Sequence, residues 1–198
     1  QMLGNHSHPI PDRLKQDILA LCQPGLDNVD LYGHTDRALG DLFSAATLAL
    51  MEKTNINTEQ IIAIGSHGQT IRHQPPGTSH GFTLQIGDPN IIAIKTKCAV
   101  VADFRRADMA LGGQGAPLVP AFHHHYFAEP SKHRIILNIG GIANITILKN
   151  NNCSGFDTGP GNLLLDSWCL KNTGQPFDDK GAWGDTGNLS RPLVDKLK

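Results

Sequence analysis

Hydrophobic positions recur with a helical period in two segments near the start of the chain. Residues 12–21 form a short amphipathic pattern that follows Pro11. A stronger pattern runs from about Asp36 to Lys53, with one apolar stripe that contains Leu39, Leu42, Phe43, Ala46 and Leu50. Thr35 precedes this stripe and is expected to cap the helix. Pro24, Gly25 and Gly33 indicate a loop over residues 22–34, so the sequence predicts two separate helices.

Short runs of apolar and β-branched residues predict strands farther along the chain. The runs span residues 61–66, 82–86, 98–102, 134–139 and 143–148, and the strands at 61–66 and 98–102 are expected to be buried. Gly140 and Gly141 lie between the last two runs, so these two strands are expected to form a hairpin.

Helices are predicted between and after these strands. Asp88 followed by Pro89 is typical of a helix start, and this helix is expected to continue to about Lys95. Further helices are expected over residues 116–128 with an interruption at Pro120, from Pro160 to Leu170, and after a cap at Ser190. Strands mixed with helices indicate an α/β architecture. A polar segment before residue 134 suggests a domain boundary, so the chain is predicted to contain two domains, residues 1–133 and 134–198.

Composition and charge argue against several classes of protein. The formal net charge is −1, which provides no overall attraction to nucleic acid or to an anionic membrane. No apolar run approaches the roughly 20 residues that a membrane-spanning helix needs, and the first residues lack the pattern of a signal peptide. The four cysteines are scattered and form no C-x-x-C pair, which predicts reduced thiols in a cytoplasmic protein.

Polar side chains are concentrated directly after the strand predicted at residues 61–66. Ser66, His67 and Gln69 lie in one turn, and Arg72 follows closely. The carboxyl ends of strands in α/β folds face ligand clefts, and an arginine can hold a carboxylate in a forked pair. These residues are therefore candidates for binding a polyhydroxylated or anionic ligand, and the alternative is a polar surface loop.

Asp103 ends the apolar run at residues 98–102. Partial burial at this position would suit a general base, and Arg105, Arg106 and Asp108 follow in the same turn. The next segment, GGQGAP, can approach a ligand closely because glycine has no Cβ. The alternative is a structural Asp–Arg ion pair that caps a loop.

Two glycine-rich turns, NIGGIAN at residues 138–144 and DTGPGN at residues 157–162, are candidates for binding phosphate. The second is expected to open a helix, whose free N–H groups attract anions. Neither matches the P-loop or the dinucleotide-binding fingerprint, so a P-loop ATPase and a Rossmann dehydrogenase are not supported. The alternative is that the glycines only provide the positive φ angles of turns.

Five segments taken together resemble the anhydro-N-acetylmuramic acid kinases. They are IGSHGQTIRHQP, TLQIGDPN, VVADFRRADMALGGQGAPLVPAFH, LNIGGIANIT and GFDTGPGN, in the order of that family. The resemblance implies an actin/hexokinase-like (ribonuclease H-like) fold, in which two α/β domains flank an ATP cleft. It also implies cleavage of the 1,6-anhydro ring of anhydro-N-acetylmuramic acid with phosphorylation at O6, using ATP and Mg²⁺. The product, N-acetylmuramic acid 6-phosphate, would belong to peptidoglycan recycling in the bacterial cytoplasm.

The resemblance also implies roles for individual residues. Asp103 matches the catalytic aspartate that deprotonates the attacking water. The implied sugar-side residues are Ser66, His67, Gln69, Arg72 and Arg105, and either arginine could hold the lactyl carboxylate of the substrate. The residues implied to contact the phosphates of ATP are Asn138, Gly140, Gly141, Asn144, Asp157, Gly159, Gly161 and Asn162. The ligands of Mg²⁺ are not predicted.

The family's N-terminal G-T-S-x-D-G phosphate loop does not occur in this sequence, and family members are longer. We therefore expect the fold to be incomplete at both ends. Two alternatives remain: an ATP-independent inverting glycosidase that uses Asp103 with Asp108 or Asp157, and a non-catalytic sugar-binding module. The sequence does not determine the oligomeric state, and a homodimer is compatible with it.

Overall fold

The computed structural model describes residues 2–77, 81–150 and 152–197, which have a mixed α/β structure. The chain divides into two compact units, Gln1–Ala116 and Pro117–Lys198. The domains that the sequence predicts divide later, at residue 133, and that division stays a prediction. Within the described part of the chain, every helix is too short or too polar to cross a bilayer.

The described residues of the first unit form four α-helices and one 3₁₀ turn. They are α1 (Asp12–Leu21), α2 (Val29–Thr54), the 3₁₀ turn Thr58–Gln60, α3 (Pro89–Thr96) and α4 (Phe104–Ala110). Helices α1 and α3 confirm the predictions, and Asp88 caps α3 by accepting a hydrogen bond from the N–H of Asn90 at 2.8 Å. Helix α4 lies in a segment for which the sequence predicts no helix.

Helix α2 begins seven residues before its predicted start at Asp36. Its cap is Asn28, whose side chain accepts a hydrogen bond from the N–H of Leu31 at 2.7 Å. Thr35 is buried inside the helix, so the predicted cap at Thr35 and the loop over residues 29–34 are wrong. The predicted loop rests partly on Gly33. A glycine is typical of loops, but a single glycine inside a helix is tolerated.

The strands of the first unit are short. They are β1 (Ile64–Gly65), β2 (Gln69–Gln74), β3 (Phe82–Ile86) and β4 (Val100–Val101). β1 pairs with β4 in parallel, and β2 pairs with β3 in an antiparallel hairpin. β3 is predicted correctly from the sequence. β2 is not predicted, because the polar residues Gln69 and Thr70 are typical of a turn.

β1 and β4 are shorter and more exposed than the buried strands predicted at residues 61–66 and 98–102. Ile62 is 97 % exposed and Val101 is 53 % exposed. Each of the two strands pairs only with the other among the described residues, so neither lies in the interior of a sheet. The apolar runs predicted the positions of the two strands correctly, whereas the expected burial is wrong.

The core of the first unit joins helices α1 and α2 to the β2–β3 hairpin. Its buried residues are Ile18, Leu21, Leu39, Ile71 and Ile86. Burying one side chain of this size contributes on the order of 1.5–3 kcal/mol. The hairpin and the long helix are therefore fixed to each other at the place where β3 leads into α3.

We expect Gly33→Ala to stabilise the protein by about 1 kcal/mol, because Gly33 lies in the exposed interior of α2 and a Cβ there would meet no other atom. Gly40→Ala in the same helix is the matched control. Its Cβ would lie 2.9 Å from the backbone oxygen of Asp88, so it should destabilise the protein. Urea unfolding of both variants measures the two effects, and equal shifts in one direction would contradict the expectation.

In the second unit, the residues that the structure describes form a three-stranded antiparallel sheet with helices. This unit contains α5 (Val119–Phe127), β5 (Arg134–Ile139), β6 (Ile142–Lys149), β7 (Asn152–Pro160), α6 (Leu163–Thr173) and α7 (Arg191–Leu197), with 3₁₀ turns at Asp179–Gly181 and Gly184–Thr186. The strand order is β5-β6-β7. The hairpin around Gly140 and Gly141 confirms the prediction.

Three predictions for the second unit need correction. Pro120 is the second residue of α5 and does not interrupt it, because a proline in the first helical turn lacks only an N–H that would have no partner there. Asp157 to Pro160 belong to β7, which the sequence does not predict, and the following helix begins at Leu163 instead of Pro160. The missed strand and the late helix start have the same cause: the glycines of DTGPGN are typical of a helix start, but the first four residues of this segment continue β7.

Candidate active site

Asp103 lies where a strand passes into a helix. β1 and β4 run side by side, with Gly65 opposite Val101, so Ser66 and Ala102 leave the sheet together. The N–H of Ser66 donates to the carbonyl of Val101 at 2.8 Å. Asp103 precedes α4 with φ 61° and ψ 32°, a left-handed conformation that is uncommon for a residue with a Cβ. This conformation directs the chain sharply from β4 into α4.

The Asp103 carboxylate is exposed, in contrast to the partial burial expected from the sequence. Its side chain is 57 % exposed, and the guanidinium of Arg106, one helical turn later, lies 3.4 Å from its oxygens. Two exposed charges at this separation stabilise a protein little. The structural ion pair considered for this segment is therefore present but weak, and the carboxylate stays accessible to water.

A cleft of about 360 Å³ contains Asp103 in its wall. One side of the cleft consists of Ser66, His67 and Gly68, after β1. The other sides consist of Tyr32 and Asp36 on α2, residues 85–90 around the β3–α3 turn, and Ala102, Asp103 and Arg106. The structure thus brings Ser66 and His67, two of the expected sugar-side residues, together with Asp103, the expected base, in one cleft.

Arg105 does not line the cleft and reaches it through a hydrogen bond to His67. Its Nε–H donates to His67 Nε2 at 2.8 Å, and its Nη1 donates to the carbonyl of Gly115 at 2.7 Å. His67 Nδ1 lies 2.8 Å from the carbonyl of Gly68, so the neutral ring carries its hydrogen on Nδ1 and accepts on Nε2. Arg105 therefore fixes both the orientation and the tautomer of His67.

The glycine-rich segment after α4 wraps around Asp108. Asp108 Oδ2 accepts a hydrogen bond from the N–H of Gly115 at 2.8 Å, and a Cβ on Gly113 would overlap the same carboxylate. Asp108 does not line the Asp103 cleft. The carboxylate is thus occupied with shaping the segment, which does not favour Asp108 as the second carboxylate of a glycosidase.

Gln69 and Arg72 lie on β2, outside the lining of the Asp103 cleft. Gln69 Nε2 donates to the carbonyl of Thr70 at 3.1 Å. Arg72 lines a separate cavity of about 270 Å³, and its Nη2 donates to the carbonyl of Leu21 at 3.2 Å and to Asp27 Oδ2 at 3.0 Å. Arg72 therefore joins the end of α1 to the segment before α2.

We expect Asp27→Asn to remove a small, pH-dependent part of the stability. The pKa of Asp27 lies below its ordinary value of 3.8, first because of the backbone N–H groups of Gly25 and Asp27 and then because of Arg72. A carboxyl whose pKa is lowered by folding stabilises the protein above its unfolded pKa and loses this effect as the pH falls through its folded pKa.

The melting temperature of the wild type should therefore exceed that of the Asp27→Asn variant near neutral pH and approach it below about pH 3.8. Asp30→Asn, at an exposed residue near the start of α2, is the control. A difference between wild type and Asp27→Asn that is the same at every pH would contradict the expectation.

Tyr32 and Asp36 are cleft residues that the sequence analysis did not identify. They lie four residues apart on α2, hence on one face of the helix. Burial raises the pKa of Asp36, an effect that the Gly87 N–H partly offsets and the Asp88 carboxylate reinforces. Burial and then the charge of Asp36 raise the pKa of Tyr32. The i, i+4 spacing would have indicated a shared helical face. It was missed because the predicted helix began at Asp36, whereas α2 begins at Val29.

The eight residues predicted to contact phosphate lie at one end of the sheet in the second unit. Asn138 on β5 pairs with Asn144 on β6, and Asn144 pairs with Asp157 on β7. Directly paired residues point to the same face of a sheet, so these three side chains form a row. Gly159 lies on β7 and pairs with Ala143, and Gly140, Gly141, Gly161 and Asn162 form the adjoining turns.

Hydrogen bonds hold the two glycine-rich turns together. The N–H of Gly161 donates to the carbonyl of Gly141 at 2.8 Å, and the N–H of Asn162 donates to the carbonyl of Gly140 at 2.8 Å. The N–H of Leu163 also donates to Gly141, at 3.2 Å. The N–H groups of these three residues are thus already used, which corrects the expectation that the start of this helix offers them freely to an anion.

Comparison with known proteins identifies similar chains. A family model described as anhydro-N-acetylmuramic acid kinase matches residues 1–198. Proteins named anhydro-N-acetylmuramic acid kinase are 55 % identical over 199 residues in Shewanella denitrificans and 54 % identical over 201 residues in Coxiella burnetii. Both alignments cover 100 % of this chain and 54 % of the relative. The chain thus spans about half the length of the curated relatives it matches.

Proposed function

The chain belongs to the anhydro-N-acetylmuramic acid kinase family, and we propose that the protein is an ATP-dependent kinase of 1,6-anhydro-N-acetylmuramic acid. It would open the anhydro ring and phosphorylate O6, giving N-acetylmuramic acid 6-phosphate for peptidoglycan recycling in the bacterial cytoplasm. The observation that carries this proposal is the family match over residues 1–198, which includes both the Asp103 cleft and the paired glycine-rich turns. The fold of the whole protein would be actin/hexokinase-like.

Asp103 is proposed as the general base. Its exposed carboxylate lines a cleft and can accept a proton from a water molecule. The water oxygen attacks the anomeric carbon, and its proton passes to Asp103. The bond between C1 and O6 breaks, and O6 forms a bond with the γ-phosphorus while ADP leaves. Arg106, which donates to Asp103 at 3.4 Å, would orient the carboxylate.

The remaining cleft residues would position the sugar. Ser66 and His67 offer a hydroxyl and an imidazole beside Asp103, and Arg105 holds the imidazole in place. The predicted roles of Arg72 and Arg105 in binding the lactyl carboxylate are kept as alternatives. Both guanidinium groups already donate to protein oxygens, and the N–H groups that each does not use in this way could donate to the carboxylate.

The paired glycine-rich turns of the second unit are proposed to face the phosphates of ATP. The row of Asn138, Asn144 and Asp157 provides amide donors and one exposed carboxylate next to turns with little side-chain bulk. No group of three or more His, Cys, Asp or Glu residues that could hold a metal occurs in the described ranges. Mg²⁺ bound together with ATP would supply the positive charge that neutralises the phosphates.

Incubating the complete protein with anhydro-N-acetylmuramic acid and γ-labelled ATP tests the proposal. The expected result is a ring-opened sugar that carries the label at O6, with one ADP per sugar. Ring opening without ATP would favour the inverting glycosidase instead. Sugar binding without label transfer or ring opening would favour the non-catalytic binding module.

A further inference from the structure

We propose that Asp36 is a specificity-determining residue, whose carboxylate accepts a hydrogen bond from the sugar bound in the Asp103 cleft. The inference rests on the proposed function, because it requires an amino sugar in this cleft. Asp36 reaches the cleft from α2, as Tyr32 does, and this helix is far in sequence from the segments that contain the remaining cleft residues.

The position of Asp36 is fixed by two hydrogen bonds to the β3–α3 turn. Its Oδ1 accepts from the N–H of Gly87 at 2.7 Å, and its backbone carbonyl accepts from the N–H of Asp88 at 3.2 Å. Gly87 has φ 116°, and a Cβ there would lie 2.6 Å from the ring of Phe43, so only glycine permits this close approach. The carboxyl group of Asp36 is therefore held in one orientation before any ligand binds.

The second carboxylate oxygen of Asp36, Oδ2, makes no hydrogen bond to any residue that the structure describes. The residue is half-buried at the wall of the cleft. A partly buried carboxylate loses hydrogen bonds to water, and a single protein donor does not replace all of them. A ligand with an O–H or N–H group can supply a second hydrogen bond. A bound sugar would thus complete the hydrogen bonding of Asp36.

The charged groups around Asp36 favour a donor from a neutral part of the ligand. Asp88 and Asp103 also line the cleft, and Arg106 is the cation among its lining residues. Burial and the Asp88 charge raise the pKa of Asp36, so a hydrogen bond donated to its ionised form is especially favourable. A carboxylate of the ligand would be repelled by Asp36.

The chemistry of the proposed substrate limits the donor to two groups. In 1,6-anhydro-N-acetylmuramic acid, a single oxygen, O6, bridges C1 and C6, and O3 carries the lactyl ether. The hydroxyl at C4 and the acetamido N–H at C2 are the remaining neutral donors. Asp36 would therefore accept a hydrogen bond from one of these two groups, and sugars that lack this group would bind more weakly.

Asp36→Asn separates a role in binding the sugar from a role in holding Gly87. The amide oxygen can still accept from the Gly87 N–H, whereas the NH₂ group replaces Oδ2 with a donor. Calorimetric titration of the complete protein with the anhydro sugar, without ATP, should give a dissociation constant at least about tenfold higher than that of the wild type. The melting temperature should not fall, since a half-buried negative charge next to Asp88 is removed.

Asp30→Asn, on the same helix but outside the cleft lining, is the matched control and should bind the sugar like the wild type. Analogues that lack the C4 hydroxyl or the acetamido group provide an independent measurement. One of them should lose about tenfold in affinity for the wild type and lose little further affinity for Asp36→Asn.

An Asp36→Asn variant with wild-type affinity, or analogues whose losses are the same for both proteins, would overturn the inference and leave the kinase proposal intact. A wild type that neither binds nor phosphorylates the sugar would overturn the proposed function, and this inference with it.

Discussion

Asp103→Asn should lower kcat of the complete protein by about 10²–10⁴-fold, the usual contribution of a positioned general base. The amide has nearly the same shape as the carboxylate but cannot accept a proton from water. The change also removes the charge that Arg106 contacts, and this contact is long and exposed, so folding should be preserved. Sugar affinity should change by only a few-fold, because the base acts on water and not on a group of the sugar that is needed for binding.

Steady-state kinetics with the anhydro sugar and ATP, together with calorimetric binding of the sugar, measure the two effects. Asp30→Asn provides a control for the same chemical change at an exposed position of α2. A kcat within about threefold of the wild type would mean that another group accepts the proton. Unchanged kcat combined with weaker sugar binding would assign Asp103 to binding alone.

Gly161→Ala should destabilise the second unit and weaken ATP binding together. A Cβ at Gly161 would overlap the backbone carbonyl of Gly140, which no rotamer change can relieve. The hydrogen bonds from the N–H groups of Gly161 and Asn162 to the neighbouring turn would be strained or lost. We expect a loss of about 1–3 kcal/mol or more in the free energy of unfolding and at least a roughly tenfold weaker affinity for ATP.

Gly141→Ala is the matched control in the other turn. The nearest atoms to a Cβ there are 3.8 Å and 3.9 Å away, an ordinary contact distance, so folding should be preserved. Denaturant unfolding and binding of a non-hydrolysed ATP analogue measure the two properties of each variant. A Gly161→Ala protein that unfolds like the wild type would show that the two turns separate easily and do not form a fixed site.

Local signals in the sequence were sufficient where an element is defined by its own residues. Asp88 and Pro89 begin α3 because the capping oxygen and the fixed φ of proline act within one turn. The strands around Gly140 and Gly141 were predicted correctly because a tight turn between two β-branched runs leaves little choice of pairing. Helix α1 was also predicted correctly, because its amphipathic pattern spans the same residues as the helix.

Local signals failed where a distant partner decides the conformation. β2 forms because Gln69 to Gln74 pair with β3, although its polar residues do not read as a strand. Asn28 begins α2 earlier than expected, and the packing of this helix on the hairpin core tolerates Gly33 inside it. β1 and β4 stay short because each has one pairing neighbour in the described chain.

Asp103, Ser66 and His67 could be selected from the sequence because each follows a short apolar run and belongs to a segment typical of the family. Their arrangement in one cleft follows from the parallel pairing of β1 with β4, which places the two chain exits side by side. The contribution of Asp36 was not predictable, since it depends on α2 packing against the β3–α3 turn.

The sequence by itself determined the mixed α/β class, the family and the chemical types of the candidate residues, because these depend on local pattern and on residue identity. The tertiary structure decided which of these residues share a cleft, which ones Arg72 and Arg105 contact, and that the two glycine-rich turns bind each other. The physical reason is that such contacts join segments far apart in sequence, and a hydrogen bond or an ion pair forms only after the packing of the core has placed its partners within about 3 Å.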